Sequence, residues 1–283
     1  MKKTTKIGFV GQGWIGKNYS DNFEKRGYEV VRYDITPEFS QNKAKLVECD
    51  IIFVAVPTPS TPKTNFDDSI LINAIKATHK DQIVVIKSTV QIGTTDKIQK
   101  VYPDRYILHS PEFLTEKTAV FDAAHPMRNI VGFTKKSNDV ASKVMKVLPY
   151  APFCEIVPCK EAELVKYAGN VWFYIKVMIC NLVYDVAKDN NLDYTTIKRM
   201  MSADTRIGPT HLDVQHQGGR GAGGHCFIKD FVAFREMYEK MIGNKEGIAL
   251  LKAVEEKNIE LLLKSKKNLD LLKGVYGDNV LNK

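Results

Sequence analysis

Short apolar runs alternate with amphipathic stretches through the first half of the chain. The runs Lys6–Val10, Tyr28–Tyr33, Asp50–Val56, Gln82–Lys87, Tyr106–His109 and Asn129–Phe133 are rich in Val, Ile and aromatic residues. They lack strict apolar–polar alternation, so they read as strands buried on both faces. Between them the spacing predicts helices over Ile15–Arg26, Pro37–Glu48, Ser69–Lys80, Thr95–Val101 and Asp139–Leu148. Strands alternating with helices imply an α/β fold with a doubly wound parallel sheet.

The texture changes where Pro149, Pro152 and Pro158 punctuate a segment holding one more strand, Cys154–Val157. A long helix then runs from about Glu161 to Asn190. Its apolar positions include Leu164, Val165, Ala168, Val171, Trp172, Ile175, Met178, Ile179, Leu182 and Val186. They cover more than one stripe, which predicts burial on several sides. Further helix follows, then a Gly-rich loop at Gln217–Gly224 and helices at Phe231–Met241 and Gly247–Lys264. The pattern places one domain over 1–158 and an all-helical second domain over 159–283.

Composition narrows the classes. The 283 residues, 44% hydrophobic and 26% charged, can bury a sizeable core without staples, which excludes a disordered chain or a small disulfide scaffold. No apolar run reaches the roughly 18 residues of a membrane span. The basic start, Met1–Lys6, lacks the apolar core of a leader, so a cytoplasmic location is expected. The net charge of +8 is spread along the chain with no aromatic-basic binding motif. A nucleic-acid partner is therefore not expected, and an anionic small substrate is compatible. The five cysteines show no Cys-x-x-Cys pair or metal spacing, so no metal is expected and most thiols should simply be packed.

The first strand runs into Gly11-Gln12-Gly13-Trp14-Ile15-Gly16, a G-x-G-x-x-G, and the second ends in Asp34, 18 residues after Gly16. Between a strand and a helix this is a Rossmann dinucleotide fingerprint. Gly11 permits the tight turn, Gly13 lets the backbone approach a pyrophosphate, and Gly16 lets helix and strand close up. The helix N-terminus offers its N–H groups to the phosphates. Asp34 would accept from a ribose 2′-hydroxyl and repel a 2′-phosphate, favouring NAD over NADP; the neighbouring Arg32 works weakly against that choice. FAD shares the fingerprint. Val54–Pro59 and Lys87–Val90 end the third and fourth strands, so Pro57, Thr58 and Thr89 should stand at the sheet's carboxyl edge, where ligands bind. Ordinary turn chemistry explains these residues equally well.

Three further groups carry chemistry. Lys166 and Asn170, four apart on the long helix, share a face and can hold an alkoxide or carbonyl oxygen. On the helix alone, a lysine reaching solvent or paired with Glu163 is the plainer reading. Cys226 opens a helix after a glycine-rich loop, where the dipole, the N–H groups and nearby His225 and Lys229 favour the thiolate. Asp230 lies one turn on. Glu112 and Glu116 follow the fifth strand, where one of them could position water or pair with Lys166.

Taken together these residues resemble the UDP-glucose/GDP-mannose 6-dehydrogenase family. The resemblance is carried by Gly11–Gly16, Val54–Pro59, Ser88–Thr95, Ser110–Leu114, Glu161–Asn170, Asp204–Gly208 and Gly223–Asp230, across roughly residues 6 to 262. It implies that Cys226 is the nucleophile and that Lys166, Asn170 and Asp230 surround the reacting carbon. Thr89 and Glu116 match positions that contact the cofactor or order the catalytic water, Glu112 one near the sugar, and Lys229 a cofactor contact. Trp14 and Ile15 belong to the cofactor loop. Arg206, Gln215, Gly219 and Gly223 match substrate contacts. The implied reaction is a four-electron oxidation of a nucleotide sugar's primary alcohol, most simply that of UDP-glucose, by a homodimer formed through the long helix.

The chain departs from the family pattern in three places. Ile228 replaces a proline, while Gly218 and Arg220 replace a proline and an aromatic residue, predicting a looser, more basic loop. The family's third, C-terminal nucleotide-binding domain is expected to be lacking, as in a short form. A two-electron hydroxyacid dehydrogenase also uses Lys-x-x-x-Asn but has no need of Cys226. A catalytically silent NAD-binding protein is the reading from another class.

Overall fold

The computed structural model describes residues 5–59 and 66–282. Met1–Thr4, which open the basic N-terminus, lie outside the described residues. The chain divides into two compact units, one of the residues up to Pro59 together with Asp67–Lys166, the other from Tyr167 onward. The boundary falls about two turns into the long helix, which itself begins at Cys159.

Among the described residues seven strands build one sheet in the first unit: β1 (Ile7–Val10), β2 (Val30–Tyr33), β3 (Ile51–Val54), β4 (Ile83–Ile86), β5 (Tyr106–His109), β6 (Arg128–Phe133) and β7 (Phe153–Pro158), in the order β2-β1-β3-β4-β5-β6-β7. The parallel register sets Ile7 beside Val30 and Ile51, and Ile51 beside Ile83. Helices α1 (Trp14–Lys25), α2 (Ser69–Lys76), α3 (Thr94–Val101), α4 (Ala119–Ala124) and α5 (Asn138–Val147) connect the strands. The six anticipated strands and Cys154–Val157 are all present within two residues at each end. One expectation fails: β6 runs antiparallel to β5, pairing Leu108 with Phe133. The run Asn129–Phe133 is apolar on both faces like its parallel neighbours, so its direction is not written in its periodicity. The helix expected over Pro37–Glu48 is a 3-10 helix, Ser40–Glu48, in which Leu46 alone is buried; one apolar anchor does not hold a regular amphipathic helix.

The core of this unit is aromatic at its centre. Phe9, Phe23 and Phe53 are fully buried, with the Phe9 and Phe53 rings stacked 5.1 Å apart. Because β1, β3, β4 and β5 are parallel, Gly11, Pro57–Thr58, Ser88–Thr89 and Ser110 all emerge at one carboxyl edge. The strand order reverses between β1 and β3, the point at which such sheets open a ligand crevice.

The second unit is helical. It takes in most of α6 (Cys159–Asp189), then α7 (Tyr194–Ser202), α8 (Gly224–Met241), α9 (Lys245–Lys264), α10 (Leu269–Tyr276) and a closing 3-10 helix, Asp278–Asn282. Asp193 caps α7 by accepting from the Thr195 and Thr196 N–H groups, and Asn244 caps α9 through Gly247. Tyr174 and Phe231 stack 3.9 Å apart at the centre of a core that includes Val171, Met178, Leu251 and Leu261. The expectation that α6 is covered on several sides needs correction. Leu164, Trp172, Ile179, Leu182 and Val186 are exposed, Trp172 by 64%, and recur as one stripe along the helix. Periodicity shows that a position is apolar, not what covers it. Among the described residues no helix is long and apolar enough to cross a membrane.

Candidate active site

At the carboxyl edge of β1 the three glycines play three different parts. Gly11 has φ +92°, and a Cβ there would collide with the Ala55 carbonyl. A Cβ on Gly16 would strike the Gly11 carbonyl, so α1 closes up to the end of β1 only because position 16 is glycine. Around Gly13 a Cβ would meet nothing within 4 Å. That open ground lies at the start of α1, whose Gly13 N-cap supplies no side-chain cap. Orphan N–H groups beside empty space suit a phosphate. Asp34 Oδ2 accepts from the Gln12 N–H at 2.6 Å, which fixes the carboxylate against the same loop. Arg32 does not compete with it, being paired with Asp21 and Glu24. The residues present therefore fit a dinucleotide with an unphosphorylated ribose. Trp14 is 44% exposed, whereas Ile15 packs against the core, so its part in the loop belongs to its backbone.

The next strand ends are tied to one another. Thr58 is buried and its hydroxyl donates to the Thr89 carbonyl at 2.7 Å, while Ser88 Oγ bonds both the N–H and the carbonyl of Val56. Pro57 is exposed beside them. After β5, Glu112 is buried and accepts from the Lys166 ammonium at 2.7 Å through Oε1 and from the Leu114 N–H through Oε2. The solvent-reaching and Glu163-paired readings of Lys166 are both set aside: its side chain is 6% exposed and its partner is Glu112. Glu163 turns elsewhere. Fully buried, it accepts from the Gly93 and Thr95 N–H groups and the Thr95 hydroxyl, capping α3 from a distance. Glu116 is exposed.

Two buried basic groups at this edge escaped the sequence reading. Lys87, at the end of β4, donates to Ser110 Oγ at 3.2 Å and lies 4.4 Å from the centre of the Tyr19 ring. Burial, opposed by the Glu112 charge, lowers its ammonium to about 7. His109, the last residue of β5, is fully buried; burial and then the Lys87 charge lower its imidazole to about 3. The visible signal was a lysine extending a fully buried run. His109 makes the fold acid-sensitive. An unfolded imidazole binds a proton near its ordinary 6.5, which the folded one refuses down to about 3, so this contribution to stability falls as the pH drops through that window. Between pH 6.5 and 5 the wild type is expected to lose about 2 kcal/mol more than His109→Gln, read by urea unfolding; parallel losses would show that the imidazole is protonated in the fold.

In the second unit Cys226 stands in the first turn of α8 and is exposed. By contrast Cys49 and Cys159 are buried, and burial lifts both thiols to about 12. Asp230, one turn after Cys226, is buried; its Oδ2 accepts from Asn170 Nδ2 at 2.5 Å, and its Oδ1 lies 3.3 Å from the Lys229 ammonium. Asn170 itself lies one turn after Lys166 on α6. Arg206 is fully at the surface, forked onto Asp204, and Gln215 is exposed. Gly219 and Gly223 belong to the loop before Cys226. That loop is basic, as expected, but it is not loose. Arg220 is held by Asn181 and Asp185, and Asn258 bonds both backbone groups of Ala222. Among the described residues no group of three or more His, Cys, Asp or Glu is placed to hold a metal.

Comparison with known proteins points to one family. A sequence model described as the UDP-glucose/GDP-mannose dehydrogenase family, NAD binding domain, matches residues 36–153, and that of the same family's central domain matches residues 160–260. Gly11–Asp34 precede the matched stretch, so the dinucleotide reading there stands on the loop itself. A UDP-glucose 6-dehydrogenase of Bacillus subtilis is 30% identical over 249 residues, covering 83% of this chain and 54% of its own length. One from Rickettsia conorii is 29% identical over 247 residues, covering 84% and 55%. The chain thus spans about half the length of these curated relatives. A solved UDP-glucose dehydrogenase from Pyrobaculum islandicum superposes with a TM-score of 0.79 at 26% identity, over 93% of this chain and 72% of that one.

Proposed function

The chain belongs to the UDP-glucose/GDP-mannose dehydrogenase family, and from that premise we propose that it oxidises the C6 alcohol of a nucleotide sugar, most simply UDP-glucose, to the carboxylate. The observation that carries the reading is a cysteine in the first turn of a helix, followed one turn later by a buried aspartate that is bonded to an asparagine. The comparisons support the family, and the local chemistry supports the roles.

NAD, held by the Gly11–Gly16 loop and Asp34 with Thr58 and Thr89 at the neighbouring strand ends, would supply a hydride acceptor twice per sugar. Asp230 takes the alcohol proton through water while Asn170 holds its carboxylate in place. Lys166 and Asn170 stabilise the negative charge that develops on oxygen. The Cys226 thiolate adds to the aldehyde carbon, forming a C–S bond and restoring an alcohol-like centre that can lose a second hydride. Water, ordered by Glu112 or Glu116, then attacks the resulting thioester and releases the carboxylate and the thiol. By the family resemblance Lys229 would contact the cofactor, and Arg206, Gln215, Gly219 and Gly223 would contact the substrate.

Two NADH per UDP-glucose, with the uronate found by mass spectrometry, is the expected result. One NADH from a small hydroxyacid, or cofactor binding with no turnover on any UDP- or GDP-sugar, would replace this reading with the two-electron or the silent alternative.

A homodimer belongs to the same proposal. The stripe Trp172, Ile179, Leu182 and Val186 exposes large apolar side chains of the kind that mark protein interfaces. Light scattering at micromolar concentration is expected to give a dimer, and Trp172→Glu a monomer. A monomeric wild type ends this strand of the proposal.

A further inference from the structure

The loop that leads to Cys226 is gripped by the residues that follow α9. The Lys267 side chain is buried, and its ammonium donates to the carbonyls of Gly219 at 3.3 Å and Gly221 at 2.9 Å. Ser265 Oγ accepts from the Arg220 N–H at 2.9 Å. Asn268 Oδ1 accepts from the Gly224 N–H at 3.0 Å, and Gly224 is the first residue of α8. The helix has no cap from its own N-cap residue, Gly223, so Asn268 performs that service from 44 residues away.

The fit is close enough to dictate the glycines. A Cβ on Gly219 would lie 2.5 Å from Ser265 Cβ, and one on Gly223 would lie 2.8 Å from Lys267 Cε and collide with Asn268 Oδ1. The glycines of this loop therefore serve two approaches. One is the approach of a substrate to the sulfur, which a loop without side chains leaves open. The other is the seating of a lysine and an asparagine against the backbone. Ser265–Asn268 also lie after residue 260, the last residue matched to the family's central domain.

We propose that Lys267 and Asn268 are positioning residues for Cys226: they hold the Gly219–Gly224 backbone and cap the start of α8, and so set where the thiol stands. Burying an ammonium without a carboxylate is costly, and two backbone carbonyls are a modest return in stability alone. What the arrangement secures is the path of a glycine-rich segment that would otherwise sample many conformations. The kinetic consequence rests on the reading of Cys226 as the nucleophile; the reactivity of the thiol does not.

The test uses the full chain with Asn268→Gly and Lys267→Met. Asn268 has φ +53°, so glycine keeps its backbone without strain and removes only the acceptor. This variant is expected to fold even if Lys267→Met does not, as circular dichroism will report. Alkylation of Cys226 by iodoacetamide at pH 7.5, resolved by peptide mass from that of exposed Cys154, is expected to slow about threefold or more while Cys154 is unchanged. With UDP-glucose and NAD, kcat is expected to fall about 10- to 100-fold, as misplacement of a reacting group by about 1 Å would cause, with both KM values within about twofold. Unchanged Cys226 alkylation in folded Asn268→Gly overturns the proposal, as does a rise in KM with kcat intact. If the wild type turns over no nucleotide sugar, the reading of function fails by itself, and the alkylation comparison still decides whether the clamp places the thiol.

Discussion

Replacing Cys226 with serine is expected to abolish uronate formation, lowering its rate by roughly 10³-fold or more. Serine keeps the size of the side chain but not the chemistry. Its hydroxyl is not ionised near neutral pH, so it does not add to an aldehyde as a thiolate does, and no thioester forms for water to cleave. The first oxidation involves no bond to Cys226 and is expected to survive in a single turnover, giving at most one NADH per enzyme. Mass spectrometry of the sugar then shows aldehyde or its hydrate instead of acid. Acid made by Cys226→Ser at the wild-type rate would remove the covalent step, and the four-electron reaction would need another account.

Lys166 is the second position where a single change should be severe, and here stability and catalysis separate. The Lys166–Glu112 pair is buried on both sides, with side chains 6% and 5% exposed. Lys166→Met leaves a buried carboxylate without its counter-charge, which costs about 3–5 kcal/mol. Glu112 keeps the Leu114 N–H, a partial compensation that favours the lower end. The double variant Lys166→Met, Glu112→Leu removes both charges and is expected to recover most of the loss, since apolar replacement of a whole buried pair is often neutral. Turnover should be absent from both. Urea unfolding followed in parallel with NADH production reads the two effects. A Lys166→Met protein as stable as the wild type would show the pair to be hydrated rather than buried.

Much of the fold was legible because it is written in periodicity. The Ile51–Val54 and Ile83–Ile86 runs could only be buried strands, and the glycine spacing named the dinucleotide turn. Lys166, Asn170, Cys226 and Asp230 were visible as residue types at suggestive spacings, but their partners were not. The Lys166–Glu112 bond spans 54 residues and the Asn170–Asp230 bond 60, distances over which local pattern carries no information. The direction of β6 was hidden for a different reason, since a strand buried on both faces has the same pattern in either orientation. The loop before Cys226 was expected to be loose because Gly218 and Arg220 stand where the family has a proline and an aromatic residue. Its restraint comes from Asn258, buried within α9, and from Ser265, Lys267 and Asn268, which look like an ordinary polar helix end.

The distant cap that Glu163 places on α3 has a consequence for how this protein can change over generations. Glu163 and Lys166 occupy one turn of α6, so the same stretch of backbone serves as an anchor at one residue and, on the proposed mechanism, as a tool at the other. A drift of the anchor would be transmitted to the tool through less than a single coil of helix. Selection acting only on product formation would then preserve a carboxylate that meets neither sugar nor coenzyme. A survey of natural variation alone would mistake Glu163 for a participant in the chemistry.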